Sequence, residues 1–325
     1  MRIGCLFLLV IALTGCVQRA GKSLARKGDE IIVCGQLFHT GTRVITWMDP
    51  GGYDGYRVER RFGALTNADW AAIQAGKKPL ESPNRYSLRR DGLDAAQLQA
   101  VRGGGWQLDD LRERVDQFVL HFDATGTSRR CFQVLHDERG LSVHFMLDVD
   151  GTLYQTLDLK ERAWHATTSN TRSVGVEIAQ AGAFPVTQRR RLEPWYTNDV
   201  SGVVLTFPDW ILPTGFATPG FIGRPARPEP IIGRIQGTDL IQYDFTPEQY
   251  AALARLSATL TRIFPHLRPD FPRNPDGTVT REVLPPDQLK SYQGILGHYH
   301  VQANKVDPGP AFDWERLEQG MRRVR

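Results

Sequence analysis

The sequence lacks most of the features that would place it in a specialised class of proteins. After residue 13 it contains no further long apolar run, so we predict no membrane span in the rest of the chain. Its formal net charge is only +4 over 325 residues, which excludes the strongly basic character of nucleic-acid-binding proteins. The zinc-protease pattern H-E-x-x-H is also missing, because His136-Asp137-Glu138 does not complete it. Hydrophobic residues nevertheless make up 41% of the chain, which is enough for one or two packed domains.

The N-terminus has the pattern of a lipoprotein signal. Residues 3–13 form an apolar run behind Arg2 that is too short to span a bilayer and suits the core of a signal peptide. The run ends at Leu13-Thr14-Gly15-Cys16, which resembles the bacterial lipobox, whose cysteine becomes the lipidated first residue. We therefore expect a signal peptide at 1–15, lipidation of Cys16 and a tether at 16–30. The alternative is an ordinary secretory signal followed by an unrelated cysteine.

The residue after Cys16 favours one location for the anchored protein. Acyl chains on Cys16 would hold the chain on a membrane. In lipoproteins of this kind an aspartate at the next position usually marks the inner membrane, and residue 17 is Val. The resemblance thus favours the cell envelope, with a lipid anchor in the outer membrane facing the periplasm. In that oxidising compartment Cys34 and Cys131 could form a disulfide or remain as two buried thiols, and the sequence favours neither.

The rest of the chain divides into segments of different composition and hydrophobic pattern. Residues 31–115 carry short strand-like runs and one helical pattern without recognisable chemistry, so we treat them as an N-terminal extension of unknown role. Residues 183–243 are rich in Pro and Gly, which indicates an insertion of loops. Between and after these segments the patterns predict strands at 117–122, 142–147, 152–155, 173–179 and 295–298, and helices at 128–136, 247–264 and 313–323.

A stretch near the C-terminus, residues 297–310, reads G-H-Y-H-V-Q-A-N-K-V-D-P-G-P. It contains His298, Lys305 and Asp307. Pro and Gly at this density predict an irregular, turned backbone, and not a helix or a long strand. The stretch is therefore either a polar surface loop or one half of a metal site.

His121, at the end of a buried-strand pattern, could supply the other half. With His298 and Asp307 it would give two imidazoles and a carboxylate, which suit zinc, and a catalytic zinc uses three protein ligands and leaves one position open. Spacing is weak evidence here, since each of these residues taken singly is more often structural. His300, two residues after His298, is either a competing ligand or a neighbour, and we favour a neighbour. We expect His144 to be a strand histidine or to stand behind the ligands.

Four segments occur in the order found in the zinc-dependent N-acetylmuramoyl-L-alanine amidases of type 2, the family of phage-lysozyme amidases, AmpD/AmiD-type amidases and peptidoglycan recognition proteins. They are V-L-H-F at 119–122, A-W-H-A at 163–166, V-G-V-E-I at 174–178, and G-H at 297–298 with K-V-D-P-G-P at 305–310. The resemblance covers about 117–182 and 244–315, and its most specific part is K-x-D-P-G-P. It implies a mixed α/β (α+β) fold with a central mixed β-sheet flanked by helices, a zinc site at one face, and an amidase domain at 116–325 that contains the insertion 183–243.

The resemblance also implies roles, position by position. His121, His298 and Asp307 would bind Zn²⁺, Glu177 would be the catalytic glutamate, and Lys305 would stabilise the transition state. Without the resemblance, Glu177 would be interpreted as an edge-strand carboxylate and Lys305 as a solvated loop lysine.

Two further residues and two departures complete the comparison with the family. Trp164 and His165 match the Trp-His-Ala segment and would line the cleft and bind substrate. Asp123, two residues after His121, adds a carboxylate near the expected metal. The nine positions from His298 to Asp307 are one fewer than in the AmpD-like members.

The implied reaction is hydrolysis of the amide between N-acetylmuramic acid and L-alanine, in peptidoglycan or in its fragments. Two alternatives remain open from the sequence. One is a peptidoglycan recognition module without hydrolysis, and the other is a zinc hydrolase that acts on a different amide or peptide. The expected partners are peptidoglycan or muropeptides and, through the anchor, a membrane. No nucleic-acid partner is expected, and no protein partner can be inferred.

Overall fold

The structure, a computed structural model, describes residues 20–57, 59–63 and 85–324. The predicted signal peptide, Cys16 and the first part of the tether lie outside these residues. The strands of the described chain are β1 (Glu30–Val33), β2 (Gln36–His39), β3 (Val44–Thr46), β4 (Tyr86–Leu88), β5 (Gln117–Phe122), β6 (Phe145–Leu147), β7 (Leu153–Gln155), β8 (Glu161–Ala163), β9 (Ser173–Ile178), β10 (Phe184–Pro185), β11 (Tyr196–Asp199), β12 (Gly202–Leu205), β13 (Ile231–Ile235), β14 (Thr238–Gln242) and β15 (Gly294–Gly297). Its α-helices are α1 (Ala95–Val101), α2 (Leu108–Arg112), α3 (Ser128–Phe132), α4 (Pro247–Ile263), α5 (Pro286–Ser291), α6 (His298–Val301) and α7 (Trp314–Arg323).

A six-stranded mixed sheet forms the centre, in the order β15-β5-β9-β6-β7-β3. The strands β15, β5, β9 and β6 run parallel to one another. The hairpin partner β7 is antiparallel to β6, and β3 adds to β7 in parallel. The fold is therefore a mixed α/β fold with a central mixed sheet flanked by helices, as the sequence predicts.

Alternation along β5 shows that both faces of the sheet are covered. Phe118 and Leu120 belong to the main core, whereas Val119 packs with Leu296 in a smaller cluster. Side chains of successive strand residues point to opposite faces, so helices and loops must cover both sides. On the main-core side that cover is α4, together with α7.

The helix α4 begins where the sequence predicts it. The hydroxyl of Thr246 accepts a hydrogen bond from the amide of Gln249, and the side chain of Gln249 accepts one from the amide of Thr246. This reciprocal cap and Pro247 in the first turn fix the start of the helix. The face that the helix buries consists of Tyr250, Leu253, Leu256, Leu260 and Ile263. Each such aliphatic side chain contributes about 1.5–3 kcal/mol on burial.

The segment before residue 116 packs directly on this framework. Strand β3 extends the central sheet at β7, and β4 pairs with β8. The side chain of Gln155 joins the β1–β2 hairpin to the sheet by accepting from the Ile32 amide and donating to the Ile32 carbonyl. Cys34 is partly exposed, Cys131 is buried, and both are free thiols.

The insertion 183–243 has more regular structure than the predicted loops. It contains β10 to β14, of which β10, β14 and β13 form one small sheet and β11 and β12 another. A cluster of buried side chains around Trp195 and Tyr196 gives it a local core. Short strands interrupted by Pro and Gly leave little periodicity to recognise in the sequence. No helix among the described residues is long and apolar enough to cross a membrane.

Candidate functional site

The candidate site lies where three parallel strands of the sheet end. His121 is the penultimate residue of β5, and Glu177 is its register partner on β9. His298 follows β15 directly as the first residue of α6. Because parallel strands place their carboxyl ends at one edge, residues nearly 180 positions apart meet there.

Three ligand atoms converge at this edge. Nδ1 of His121 lies 3.0 Å from Nδ1 of His298, and each nitrogen lies 2.9 Å from Oδ2 of Asp307. All three residues are buried, with exposures of 2%, 5% and 7%. The structure therefore brings together the three residues that the sequence nominates as metal ligands.

The outer nitrogens of the two histidines indicate which atoms face inward without a proton. Nε2 of His298 lies 2.7 Å from the side-chain oxygen of Gln302 and donates to it. Nε2 of His121 lies 3.0 Å from Nδ1 of His165, whose own Nε2 is 3.2 Å from the hydroxyl of Ser173. If each outer nitrogen donates along this series, both inner Nδ1 atoms carry lone pairs.

These tautomers make the three-atom cluster a good fit for a cation. Two imidazole lone pairs and a carboxylate oxygen within 3.0 Å of one another repel unless a positive charge lies among them. Protons cannot satisfy all three contacts, because a nitrogen that donates to Asp307 has no lone pair left for the other histidine. Two imidazoles and one carboxylate are the donor set of catalytic zinc sites, so His121, His298 and Asp307 fit zinc.

The ionisation of the cluster agrees with this donor set. Burial and the neighbouring His298 lower the pKa of His121 to about 4, so its ring is neutral near pH 7. Burial acts to raise the pKa of Asp307, but His298 and His121 outweigh it and hold that pKa well below its usual value. A neutral imidazole and an ionised carboxylate are the forms that bind a metal.

The loop that carries Asp307 is fixed by the insertion. At Gly309 the backbone has a φ of +90°, and a Cβ there would lie 2.2 Å from the side-chain oxygen of Gln242. The amide of Gln242 donates to the Pro308 carbonyl at 3.1 Å and accepts from the Ala311 amide at 3.0 Å. Gln242 is the last residue of β14, so the small sheet of the insertion holds the Pro-Gly loop against the site. The glycine is needed both for its conformation and for this close approach.

Glu177 and Lys305 face the same cleft as the ligands. The cleft has a volume of about 240 Å³ and is lined by both side chains, by His121, and by the predicted substrate-binding residues Trp164 and His165. Desolvation, and then the negative charge of Asp307, raise the pKa of Glu177 well above its usual value. Among the described residues neither Glu177 nor Lys305 forms a salt bridge, so no ion pair holds either side chain away from a ligand in the cleft.

The remaining cleft residues have distinct surroundings. Trp164 lies under the guanidinium of Arg162, 4.9 Å from the charge to the ring centre, and its indole N–H has no partner among the described residues. Asp123 accepts three backbone hydrogen bonds, from residues 125, 126 and 180. Burial raises the pKa of Asp123 to about 6. Asp123 therefore shapes the loop at the cleft edge and is not part of the three-atom cluster.

The helical turn α6 separates the two histidines of the C-terminal stretch. The sequence predicts an irregular backbone for all of 297–310, and this is wrong for His298–Val301. Residues two apart on a helix point in nearly opposite directions, so His300 faces away from the ligands. Its Nδ1 accepts from the Gly297 amide and its Nε2 donates to the Thr280 carbonyl at 2.7 Å. His300 is thus a neighbour of the site, as we expected.

Sequence reasoning did not find the residues that stand behind the ligands. Gln302 could have been recognised if the helical turn had been known, because it lies four residues after His298. Ser173 carries no pattern of its own. Arg89 lies in the segment without recognisable chemistry, yet its side chain is fully buried and its Nη2 is 3.0 Å from Nε2 of His144. His144 in turn accepts from the Gly175 amide at 3.1 Å, behind His165.

A second group of close ligand atoms, Asp29, Glu30 and His39, lies on the β1–β2 hairpin. Its contacts are explained without a metal. Glu30 accepts from the amides of Lys27 and Gly28, and His39 pairs with Asp29 at 2.7 Å while largely exposed. His39 is therefore a surface histidine.

Comparison with known proteins gives one family and several structures. Residues 111–209 match the family model described as N-acetylmuramoyl-L-alanine amidase. This segment is under half of the chain and contains His121, His165 and Glu177, while His298, Lys305 and Asp307 lie beyond it. No curated protein matches the chain in sequence.

Three similar solved structures share little sequence identity with this chain. A selenomethionine derivative of AmpD is 16% identical, with a TM-score of 0.34, covering 74% of this chain and 90% of that one. AmiD from E. coli, in complex with anhydro-N-acetylmuramic acid-L-Ala-D-gamma-Glu-L-Lys as substrate, is 17% identical, with a TM-score of 0.36, covering 64% and 57%. The endolysin LysCS from Clostridium intestinale URNW is 16% identical, with a TM-score of 0.33, covering 65% and 86%. TM-scores this low establish no relationship by themselves.

Proposed function

We propose that this chain hydrolyses the amide bond between N-acetylmuramic acid and L-alanine in peptidoglycan or its fragments, with Zn²⁺ held by His121, His298 and Asp307. The observation that carries the proposal is the convergence of three ligand atoms, two imidazole nitrogens and one carboxylate oxygen, within 3.0 Å of one another in a cleft shared with Glu177 and Lys305. The amidase family match of residues 111–209 supports the choice of bond.

Different groups in the cleft carry out different parts of the proposed reaction. Zinc bound there would supply Lewis-acid chemistry, polarising the amide carbonyl and favouring ionisation of a water at the site. Glu177 takes a proton from the attacking water as that oxygen bonds to the carbonyl carbon. Its raised pKa makes it a stronger base than an exposed glutamate and keeps the proton available. The same carboxyl then gives the proton to the alanine nitrogen as the carbon–nitrogen bond breaks.

Lys305 acts on the charge that develops during the reaction. Its ammonium faces the cleft without a carboxylate partner among the described residues, so it is available to a developing oxyanion. A donor of this kind is worth about 2.7–4 kcal/mol in the transition state. The backbone at Lys305 is fixed by its amide, which donates to the Gln302 carbonyl at 3.1 Å.

The proposal extends to location. A lipid anchor on Cys16 and the tether 16–30 would place the described chain beside a membrane, and we propose the periplasmic face of the outer membrane. The motif at Leu13–Cys16 supports this. Mass spectrometry of the protein from a membrane fraction tests it, because lipidation adds acyl chains to an N-terminal Cys16, whereas an ordinary secretory signal leaves no acyl chains.

The function is tested with full-length protein, purified in detergent, on peptidoglycan and on muropeptides. We expect one equivalent of zinc and release of stem peptides with a free L-alanine N-terminus, detected by mass spectrometry. Glu177→Gln should keep the zinc and lose the activity. Glu138→Gln is the matched control, because Glu138 lies at the surface and pairs with Arg130, and it should behave as the wild type.

Other outcomes would select the alternatives. Zinc binding without cleavage of either substrate would indicate a hydrolase for a different amide. Absence of both zinc and cleavage, together with retained binding to peptidoglycan, would indicate a recognition module.

A further inference from the structure

The insertion 183–243 presents an aromatic groove at the surface. The groove has a volume of about 540 Å³ and is lined by Phe207, Phe216, Phe221 and Ile222, with a Gly- and Pro-containing loop between them. Ile222 is 63% exposed, and the neighbouring Trp210 is 62% exposed. Large apolar side chains grouped and exposed in this way usually mark a binding surface.

This groove is joined to the loop at the edge of the candidate cleft by packing through the buried side chain of Trp195. Ala124 and Thr125 line the cleft, and the next residue, Gly126, lies so close to Trp195 that a Cβ there would be 2.3 Å from the indole. The loop at the cleft edge thus rests on the aromatic cluster of the insertion. On its other side, Trp195 contacts the exposed Trp210, with ring centres 5.6 Å apart.

The aromatic contacts then lead into the groove itself. The ring of Trp195 is 6.5 Å from that of Phe207, which is 5.3 Å from Phe216, which is 6.2 Å from Phe221. All of these pairs meet edge to face, an arrangement that holds each ring in place. The groove is therefore a fixed platform whose aromatic packing reaches, through Trp195, the loop at the cleft edge.

The groove carries almost no charge. Its one charged lining residue, Asp199, is paired with Arg224 at 2.5 Å. An unpaired cation that could attract a phosphate or an anionic lipid does not line it. The suitable ligand is neutral and has both apolar faces and hydroxyl groups, which is the chemistry of N-acetylated sugar rings.

We propose that this groove binds the glycan strand of polymeric peptidoglycan, by stacking of sugar rings on Trp210 and in the aromatic groove. The proposal rests on the proposed function and deepens it, because it makes the intact polymer, more than soluble fragments, the preferred substrate. A muramic acid bound at the cleft is one unit of a longer strand, and the neighbouring sugars would continue over the platform.

The test separates binding of the polymer from chemistry at the cleft. Full-length wild type, Trp210→Ala and Ile222→Ser are compared for sedimentation with purified peptidoglycan and for cleavage of peptidoglycan and of a monomeric muropeptide. Ile232→Ser is the matched control, since Ile232 is 61% exposed but lies on β13 and does not line the groove. The exposed positions chosen leave the core untouched, and circular dichroism verifies folding.

We expect Trp210→Ala and Ile222→Ser to weaken peptidoglycan binding about tenfold and five-fold, the former equivalent to about 1.4 kcal/mol. Cleavage of the polymer should fall in parallel, while cleavage of the monomeric muropeptide stays at the wild-type rate, as it does in Ile232→Ser. Unchanged polymer binding in both groove variants would overturn the proposal. The proposal would also be overturned if the groove variants kept polymer binding but lost another interaction. Loss of self-association would indicate that the groove binds a second copy of the chain, and loss of binding to phospholipid vesicles would indicate a membrane. If wild type binds the polymer through Trp210 but cleaves neither substrate, the groove proposal stands and the proposed function fails.

Discussion

A single methyl group at Gly175 should disturb the metal site from behind. A Cβ at this position would lie 2.5 Å from Nδ1 of His165, whereas ordinary contacts begin at 3.4 Å. The ring must therefore move by about 0.9 Å. Movement away from the strand would lengthen the 3.0 Å hydrogen bond between Nδ1 of His165 and Nε2 of His121 beyond its useful range.

The expected effect of Gly175→Ala is a loss of about tenfold in zinc affinity. A neutral hydrogen bond is worth about 0.5–1.5 kcal/mol, which corresponds to about two- to thirteen-fold. Loss of a partner that orients a metal-ligating histidine typically weakens metal binding about 10–100-fold. The extra methyl group should also lower the free energy of unfolding by about 1–3 kcal/mol, because the site is tightly packed.

The assay is a competition titration of zinc against a chelating dye, at a temperature where thermal unfolding shows the variant to be fully folded. His165→Ala and the double variant Gly175→Ala/His165→Ala complete the cycle. If the methyl group acts through His165, it should cost no zinc affinity once the ring is gone. Equal losses from Gly175→Ala in both backgrounds would refute the reasoning.

Three further predictions concern other residues. Gln302→Ala should weaken zinc binding about tenfold, because it removes the side-chain oxygen that lies 2.7 Å from Nε2 of His298. The control Gln288→Ala, at the surface, should leave zinc affinity unchanged. Equal zinc affinities of the two variants in a titration would contradict the tautomer assigned to His298. Lys305→Met should lower kcat about 10²–10³-fold on a muropeptide with the zinc content unchanged, and a change in KM only would count against a transition-state role. Burial raises the pKa of Asp148 well above its usual value, so above about pH 4 the native state binds more protons than the unfolded state. The free energy of unfolding should therefore be highest below about pH 4 and should fall as the pH rises towards the raised pKa of Asp148. Asp148→Asn should make the free energy of unfolding, measured in urea, fall less steeply with pH. An unchanged pH dependence would exclude Asp148 as its cause.

The sequence predicts best the elements whose signals are local. Strand β5 is confirmed at Gln117–Phe122, where a mostly apolar run of 6 residues has the length of a strand and is too short for a typical helix. Helix α4 is confirmed with Thr246 as its cap and Pro247 in its first turn. The strand expected at 142–147 is shortened to Phe145–Leu147, and the side chains of Ser142 and His144 before it accept from the amides of Trp164 and Gly175.

The site depends on information that no local pattern contains. A family resemblance predicts the ligands His121, His298 and Asp307. They converge because β5 and β15, which lie far apart in the sequence, pair in parallel. The turn α6 was missed because His-Tyr-His-Val has no strong helix propensity and is held by its surroundings. The role of Gln242 in holding the Asp307 loop lies in an insertion that the sequence presents only as Pro- and Gly-rich.

Arg89 has a consequence for how small a working version of this protein can be made. Its guanidinium donates to the carbonyls of Leu159, Asn170, Thr171 and Ser173, all within 3.2 Å and away from solvent. A chain shortened to begin at residue 111, where the family match begins, would lose these hydrogen bonds and expose the four carbonyls behind β9 to water. A hydrogen bond from a charged donor contributes about 1.5–3 kcal/mol, so the loss of contacts to four carbonyls is comparable in sum to the whole stability of an ordinary domain. The segment before the matched region thus forms part of the protein core, and the smallest version of the chain that folds by itself must include it.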